Sequence, residues 1–360
     1  AHKARQYPEG FAVKCSGGVD SAVVAVAAAE LYPEHRLPLI NSYSEEDLHG
    51  DERYYLDAVA DRIGGRRLLV ETNARSSRTG LSSELLAATT RPCKMSGTIA
   101  TTAQLHEVAQ AHGARMVLSG DGGDQLFLKN WRALFAREVI AECRSPAAAL
   151  RAMAGLAIQD RCSFWKIAGE VVSGRRVRRY RAHFYGDQRF PRQPLAARAV
   201  PAGAELIPNG SRLGGLGVSR AFQFFGMRNA ELNRARFRSC GVDERKPFVF
   251  WPIIRAAIAA RREHHLQGGM DRALERDAFR AELPEVIYHR AGKGAGRDML
   301  IRFDYENLAA GLLDSPVVRY GLVSKEQIKN VLGREVDYDT AFALVRARAI
   351  ADWMGFYEQN

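Results

Sequence analysis

The sequence is poor in cysteine. Five are scattered over 360 residues (Cys15, Cys93, Cys143, Cys162 and Cys240), an odd number without a C-x-x-C pair. That speaks against a disulfide scaffold and a Cys-based zinc site, and a reducing, cytoplasmic setting is expected. No apolar run reaches the roughly 18 residues of a membrane span, so no membrane partner is expected. The opening Ala1-His2-Lys3-Ala4-Arg5-Gln6 has no apolar core behind it, so no signal peptide is expected. Internal repeats are missing too. The histidines lack metal-ligand spacing, and His264-His265 reads as an exposed polar pair. Trp131, Trp165, Trp251 and Trp353 fall in helical patterns and read as core.

What is there is ordinary globular composition, 46% hydrophobic and 26% charged, which excludes wholesale disorder. The length suits one large domain or two coupled ones. Charge is uneven. Of the +11 total, residues 1–150 carry 17 basic against 18 acidic side chains, and residues 151–360 carry 35 against 23.

Apolar runs and amphipathic segments alternate along the first 130 residues. Phe11–Cys15, Leu37–Ile40, Arg67–Glu71 and Arg115–Ser119 read as strands. Ser21–Leu31, Asp51–Ile63 (stopped by Gly64-Gly65) and Thr98–His112 (closed by Gly113) read as helices. This alternation predicts an α/β fold, a parallel sheet with helices on both faces. After Leu126 it stops. Helical patterns cover about 130–173, 218–238 and 252–265. The tail has a capping-box pattern at Ser324-Lys325-Glu326-Gln327 and a helix through Trp353. The expected layout is a nucleotide-binding core over 1–130, extended by a largely helical region over 131–360 that completes the acceptor site.

Ser16-Gly17-Gly18-Val19-Asp20-Ser21 lies between the first strand and a helix start. Unpaired N–H groups and the positive end of the helix dipole face such a loop. Gly17 and Gly18 let the backbone approach an anion, and Ser16 and Ser21 can donate to phosphate oxygens. Asp20 would repel a bare phosphate, so it points to a bridging Mg²⁺. The bland alternative is a Ser-capped turn. The Gly-Lys-Ser/Thr of a Walker loop is absent. A second loop, Ser119-Gly120-Asp121-Gly122-Gly123-Asp124-Gln125-Leu126-Phe127, leaves the fourth strand. In a parallel sheet both loops emerge at the carboxyl edge, where ligands bind. Ser16, Gly17, Gly18, Asp20, Ser21, Gly120, Asp121, Gly122 and Gly123 are therefore the nucleotide-binding candidates.

Ser-Gly-Gly-x-Asp-Ser resembles the pyrophosphate loop of the PP-loop ATP pyrophosphatases, a HUP-like fold whose members adenylate a carbonyl oxygen. The second loop is similar, nearly residue for residue, to the asparagine synthetase signature. By that match Asp20 and Asp124 are the Mg²⁺ ligands, and ATP and Mg²⁺ are the implied cofactors. Gly50-Asp51-Glu52 resembles the family's Asp-Glu before its second helix. Gly241-Val242-Asp243-Glu244-Arg245-Lys246-Pro247-Phe248 aligns without gaps on the family's Gly-Leu-Glu-Ala-Arg-Val-Pro-Phe. The match gives Asp243 the place of a catalytic glutamate, with Glu244 as competitor and an ion pair to Arg245 or Lys246 as the bland reading. Leu283–Arg290 and then Lys293-Gly294 resemble the segment whose lysine steadies the departing pyrophosphate.

The departures are informative. The family's Gly-Gly-Tyr after Leu-Phe is replaced by Leu128-Lys129-Asn130, and its apolar-Asp after Pro-Phe by Val249-Phe250. No carboxylate-gripping patch is evident around Leu232-Asn233-Arg234. No amino-terminal glutaminase domain is expected, and Ala1 is not a cysteine. The run Gly268-Gly269-Met270-Asp271-Arg272-Ala273-Leu274-Glu275-Arg276-Asp277-Ala278-Phe279 resembles the lasso peptide cyclases. That implies isopeptide closure of a macrolactam, a precursor peptide as substrate, and a leader-binding protein and a leader peptidase as partners. An asparagine synthetase half and a β-lactam-synthetase-like ring closer are the alternatives. A tRNA-modifying enzyme is a distant one, since no Cys pair for sulfur transfer and no RNA module is present. Eight arginines against Asp187 crowd residues 172–198. They read as a solvated basic loop or as a docking surface for an acidic peptide or partner protein, and no nucleic-acid partner is expected.

Overall fold

In the computed structural model, β1 (Phe11–Lys14) is the axis of a five-stranded sheet. The described residues are 10–33, 36–45, 50–72, 86, 96–129, 135–173, 219–220, 223–224, 226–227, 241–265, 269–291, 305–334 and 336–359. β1 pairs in parallel with β2 (Pro38–Tyr43) on one side and with β4 (Met116–Ser119) on the other. β3 (Arg66–Glu71) extends the β2 side and β5 (Asp243–Arg245) the β4 side. The order is β3-β2-β1-β4-β5, all parallel. The chain thus builds outward from β1 in one direction and then returns to build in the other. The gap between the carboxyl ends of β1 and β4 is the switch point of the sheet.

α1 (Val19–Leu31) and α2 (Arg53–Ile63) cover one face, where Phe11, Val13, Leu56 and Met116 are buried. α3 (Ser96–Ala111) covers the other with Ala12, Ile40, Leu105 and Val117. Successive β1 side chains therefore enter opposite cores, as the two-residue period of a strand requires. The parallel sheet with helices on both faces is as the alternation predicts. α1 is buried on nearly every side, which its Ala/Val run permits. α2 stops at Gly64, at φ +63.

β5 was not expected. Asp-Glu-Arg has no apolar period, yet it joins the edge beside β4. The fifth strand of the sheet therefore comes from beyond residue 240.

α4 (Gly123–Leu126) follows β4 at once. The single long helical pattern over 130–173 resolves into α5 (Ala136–Glu142), α6 (Pro146–Gln159) and α7 (Phe164–Ser173). Ser145 Oγ accepts from Ala148 N at 3.2 Å and Pro146 occupies the first turn, so a new helix has to begin there. These helices close on Leu128, Phe135, Leu156 and Ile167. The 252–265 pattern divides into α8 (Trp251–Ala259) and α9 (Arg262–His265). Then come α10 (Ala273–Ala278) and α11 (Glu285–Tyr288), which pack on α1. α12 (Tyr305–Leu312), α13 (Pro316–Arg319), α14 (Lys325–Lys329) and α15 (Tyr338–Gln359) close a separate core around Leu312, Ile328 and Leu344. Ser324 caps α14, its Oγ accepting from Gln327 N. The tail is thus two helices, not one. Among the described residues no helix is long and apolar enough to cross a membrane.

Two expectations need correction. Trp165 and Trp251 are 79% and 62% exposed; in α7 the buried position is Ile167, and the Trp165 ring stands in a T-shaped contact with Phe164. His265 is buried, unlike its neighbour His264. Its Nε2 donates to Ala257 O at 3.0 Å, which places a proton on that nitrogen. Burial pushes its pKa down to about 4, and Arg262 adds to that. A base depressed from 6.5 to about 4 contributes stability that is present above pH 6.5 and lost as pH falls to 4. The loss is about 3 kcal/mol. Urea unfolding of His265→Gln, whose amide can still donate to Ala257, is expected to lose that much less than wild type between pH 7 and pH 4. Parallel pH profiles would refute this.

Candidate active site

The loop after β1 is shaped by one obligatory glycine. Gly17 has φ +68, and a Cβ there would stand 2.4 Å from Tyr55 Cβ in α2. Gly18 precedes α1 in an extended conformation, and no side chain caps the helix. The first N–H groups of α1 are therefore left facing the loop. Ser21 Oγ donates to Gly18 O at 2.9 Å and lies 3.5 Å from Ser16 Oγ. Both hydroxyls thus stand at the helix start.

The loop after β4 packs directly on that turn. A Cβ on Gly120 would fall 2.6 Å from Ser21 N, and one on Gly123 2.6 Å from Asp20 Cγ. Gly122 adopts φ +102. Ser119 Oγ accepts from Asp121 N and starts the turn. All of the nucleotide-binding candidates, Ser16, Gly17, Gly18, Asp20, Ser21, Gly120, Asp121, Gly122 and Gly123, therefore gather with Asp124 at the switch point. Lys293 lies outside the described residues, as do Leu232-Asn233-Arg234 and residues 174–198 of the basic segment.

Asp20 and Asp124 share one cation. Arg272 Nη1 donates to Asp20 Oδ1 at 2.8 Å and to Asp124 Oδ1 at 3.0 Å. Lys129 Nζ lies 3.1 Å from Asp124, and Lys246 Nζ lies 2.9 Å from Asp121. Burial pushes the Asp20 carboxyl up to about 6, against the pull of Arg272. Glu275, buried against Asp20, is raised well above the usual carboxylate range for the same first reason. No N–H or O–H of another described residue satisfies the Glu275 oxygens. Asp20 and Glu275 thus face each other as two carboxyls, each raised first by burial.

Behind these side chains stands a guanidinium scaffold. Arg290 Nη1 donates to Gly17 O at 2.7 Å, Nη2 pairs with Glu52, and its plane lies 3.7 Å from the Tyr55 ring centre. Sequence reasoning placed Arg272, Glu275, Arg276 and Arg290 only in stretches similar to a family and gave them no contacts. Arg272 reaches Asp20 across 252 residues and Arg290 reaches Gly17 across 273, which no local pattern signals.

The two candidate acids differ. Asp243 faces the α1 side of β5, level with Met116, and ion-pairs with Arg245. It is partly exposed and lies level with the first residue of β4, at the end of the strand away from the two loops. Glu244 points to the α3 side and is buried, 3.6 Å from His106 Nε2. Burial would raise its pKa, but His106, Lys14 and Lys246 outweigh that and hold it below the usual value. Glu244 thus lies in the field of Lys246, which pairs with Asp121. Glu244→Gln is expected to cost roughly 3 kcal/mol in urea unfolding, since it removes the buried charge that faces His106, Lys14 and Lys246, and to raise the ATP Michaelis constant. Unchanged stability would remove Glu244 from this supporting role.

Among the described residues no three His, Cys, Asp or Glu side chains form a metal cage. Asp20 and Asp124, however, lie close enough to bind one cation together. Mg²⁺ is commonly held by one or two carboxylates plus substrate phosphates and water. The donor set fits an ion that arrives with a nucleotide. The model of the family described as "Asparagine synthase" matches residues 11–354. No curated protein matches the chain.

Proposed function

Since the chain belongs to the asparagine synthase family, we propose that it closes a macrolactam, joining a side-chain carboxylate of a precursor peptide to the peptide's own α-amine as a lasso peptide cyclase does. ATP-dependent amide bond formation is the general chemistry of the family, and the chain is a ligase-like enzyme of that kind that uses ATP.

One observation carries the finer reading. The run from Gly268 to Phe279 resembles the cyclases, and that run supplies Arg272 and Glu275 to Asp20. The feature that sets the chain apart is thus in contact with its nucleotide loop.

In this proposal the peptide carboxylate attacks the α-phosphorus of ATP, and pyrophosphate leaves. The α-amine then attacks the activated carbonyl, the C–N bond forms, AMP leaves, and the amine gives up a proton. The α1 N–H groups, Ser16 and Ser21 hold phosphate oxygens. Asp20 and Asp124 would hold Mg²⁺, which supplies charge neutralisation at the phosphates. Lys293 meets the departing pyrophosphate. Asp243 takes the amine's proton, as the partly exposed member of the acid pair. A leader-binding protein and a leader peptidase belong to the same proposal as partners.

The test is substrate choice. The enzyme should release pyrophosphate and AMP with a precursor peptide and not with aspartate and ammonia; the reverse pattern would make it an asparagine synthetase. Asp243→Asn should still adenylate the peptide in a single turnover and close the ring roughly a hundredfold more slowly. Wild-type closure would take Asp243 out of the mechanism.

A further inference from the structure

Arg272 occupies the position a cation between Asp20 and Asp124 must occupy. Its Nη1 is 2.8 and 3.0 Å from one oxygen of each. A Mg²⁺ on those same oxygens would sit about 2.1 Å from each, so guanidinium and metal cannot both be there. The guanidinium cannot lose its charge to make room, because arginine stays protonated. It has to move.

Two features show how it is held. Arg272 is at φ +54 and ψ +34, a left-handed conformation unusual for a side chain with a Cβ. Leu128, at φ +61, is also left-handed, and it directly precedes Lys129, the other cation on Asp124. Backbone strain of this sort collects at sites where the surroundings over-determine the geometry. The guanidinium is also underused. Nη2 reaches Asp271 only at 3.6 Å, and Nε is buried without a partner among the described residues. It holds the two carboxylates with one of its nitrogens and has donors to spare.

We propose that Arg272 is the resident counter-ion of the Asp20–Asp124 pair, and that it keeps divalent cations out until a nucleotide arrives with its own. The inference rests on the reading of Asp20 and Asp124 as the metal ligands. A free divalent ion would have to expel Arg272 from two carboxylates and leave its charge in a poorly solvated site. A metal–nucleotide complex brings phosphate oxygens that receive the freed guanidinium. Metal and nucleotide then bind as one unit, and Arg272 becomes a phosphate-positioning residue.

The experiment titrates the full chain with Mn²⁺, reading free Mn²⁺ by electron paramagnetic resonance, with and without α,β-methylene-ATP. Wild type should bind Mn²⁺ alone weakly and gain a tight site with the analogue. Arg272→Gln should bind Mn²⁺ alone at least tenfold more tightly than wild type. If that variant does not fold, Arg272→Lys serves, because the shorter lysine carries its charge less far toward the two carboxylates and should raise the affinity at least threefold. Affinity for Mn²⁺ alone that matches wild type in the folded variant overturns the proposal. Asp124→Asn separates the two readings. If it loses the tight site while Arg272→Gln behaves as wild type, only the counter-ion role fails. If it keeps the tight site, the metal assignment fails and takes the proposal with it.

Discussion

Asp20→Asn is expected to cut peptide-dependent pyrophosphate release by at least roughly a thousandfold while the melting temperature stays no lower than that of wild type. Both halves follow from where the side chain sits. Asp20 lies in the first turn of α1, with the Gly123 backbone against its β and γ carbons. Asparagine has the same shape, so that contact survives. The carboxylate itself is an electrostatic burden, since burial pushes its pKa up to about 6 and the charge of Asp124 adds to that. Its loss does not orphan Arg272, which keeps Asp124 and Asp271. What disappears is one of the two charges that would hold a metal at the phosphates. Thermal melting with a coupled pyrophosphate assay decides it. Turnover within tenfold of wild type would remove Asp20 from the metal site, and a collapsed melting temperature would make its role structural.

The legible parts of this molecule are those in which a local pattern states a local need. The β1 loop could be read because a buried strand, two glycines and a helix start admit few conformations. Gly17 at φ +68 against Tyr55 bears that out. The β4 loop could be read for the same reason, and parallel strands then brought the two together. β5 could not be read, because three charged residues carry no strand period and their pairing depends on β4 being there already. The breaks between α5, α6 and α7 were half legible. Ser145-Pro146 is a start signal inside what reads as one helix, whereas the left-handed Arg161 before α7 is not anticipated by residue type. Trp165 and Trp251 misled because amphipathic spacing shows which positions share a face and not which face is covered. The arginine contacts were out of reach entirely. Arg272 and Arg290 act on Asp20 and Gly17, and that proximity exists only after the sheet, α10 and α11 have assembled.

Arg276 shows how much rests on that assembly, and Arg276→Met is expected to lose at least about 4 kcal/mol of stability. The side chain is fully buried in α10. Its Nε donates to Asp271 O at 2.8 Å. Nη1 donates to Ile287 O at 3.0 Å and to Tyr288 O. Nη2 donates to Asp271 Oδ1 and to Arg290 O, both at 2.8 Å. Methionine fills similar space and satisfies none of these acceptors. Orphaned buried carbonyls cost about 1–3 kcal/mol apiece, and a stripped buried ion pair more. Lysine cannot rescue the site, since a single ammonium cannot span acceptors on both sides of a planar fork. Arg276→Lys should therefore fall near Arg276→Met. Arg255→Met, at an exposed position of α8, should stay within about 0.5 kcal/mol of wild type. The consequence reaches the nucleotide. Arg276 fixes the carbonyls of Ile287, Tyr288 and Arg290, and Arg290 in turn fixes Gly17 O and Glu52. The folded fraction of Arg276→Lys should accordingly show an ATP Michaelis constant raised more than its turnover is lowered. Urea unfolding with steady-state kinetics on one preparation tests both. A stability loss under 1 kcal/mol would show that α10 and the 287–290 segment do not depend on this guanidinium.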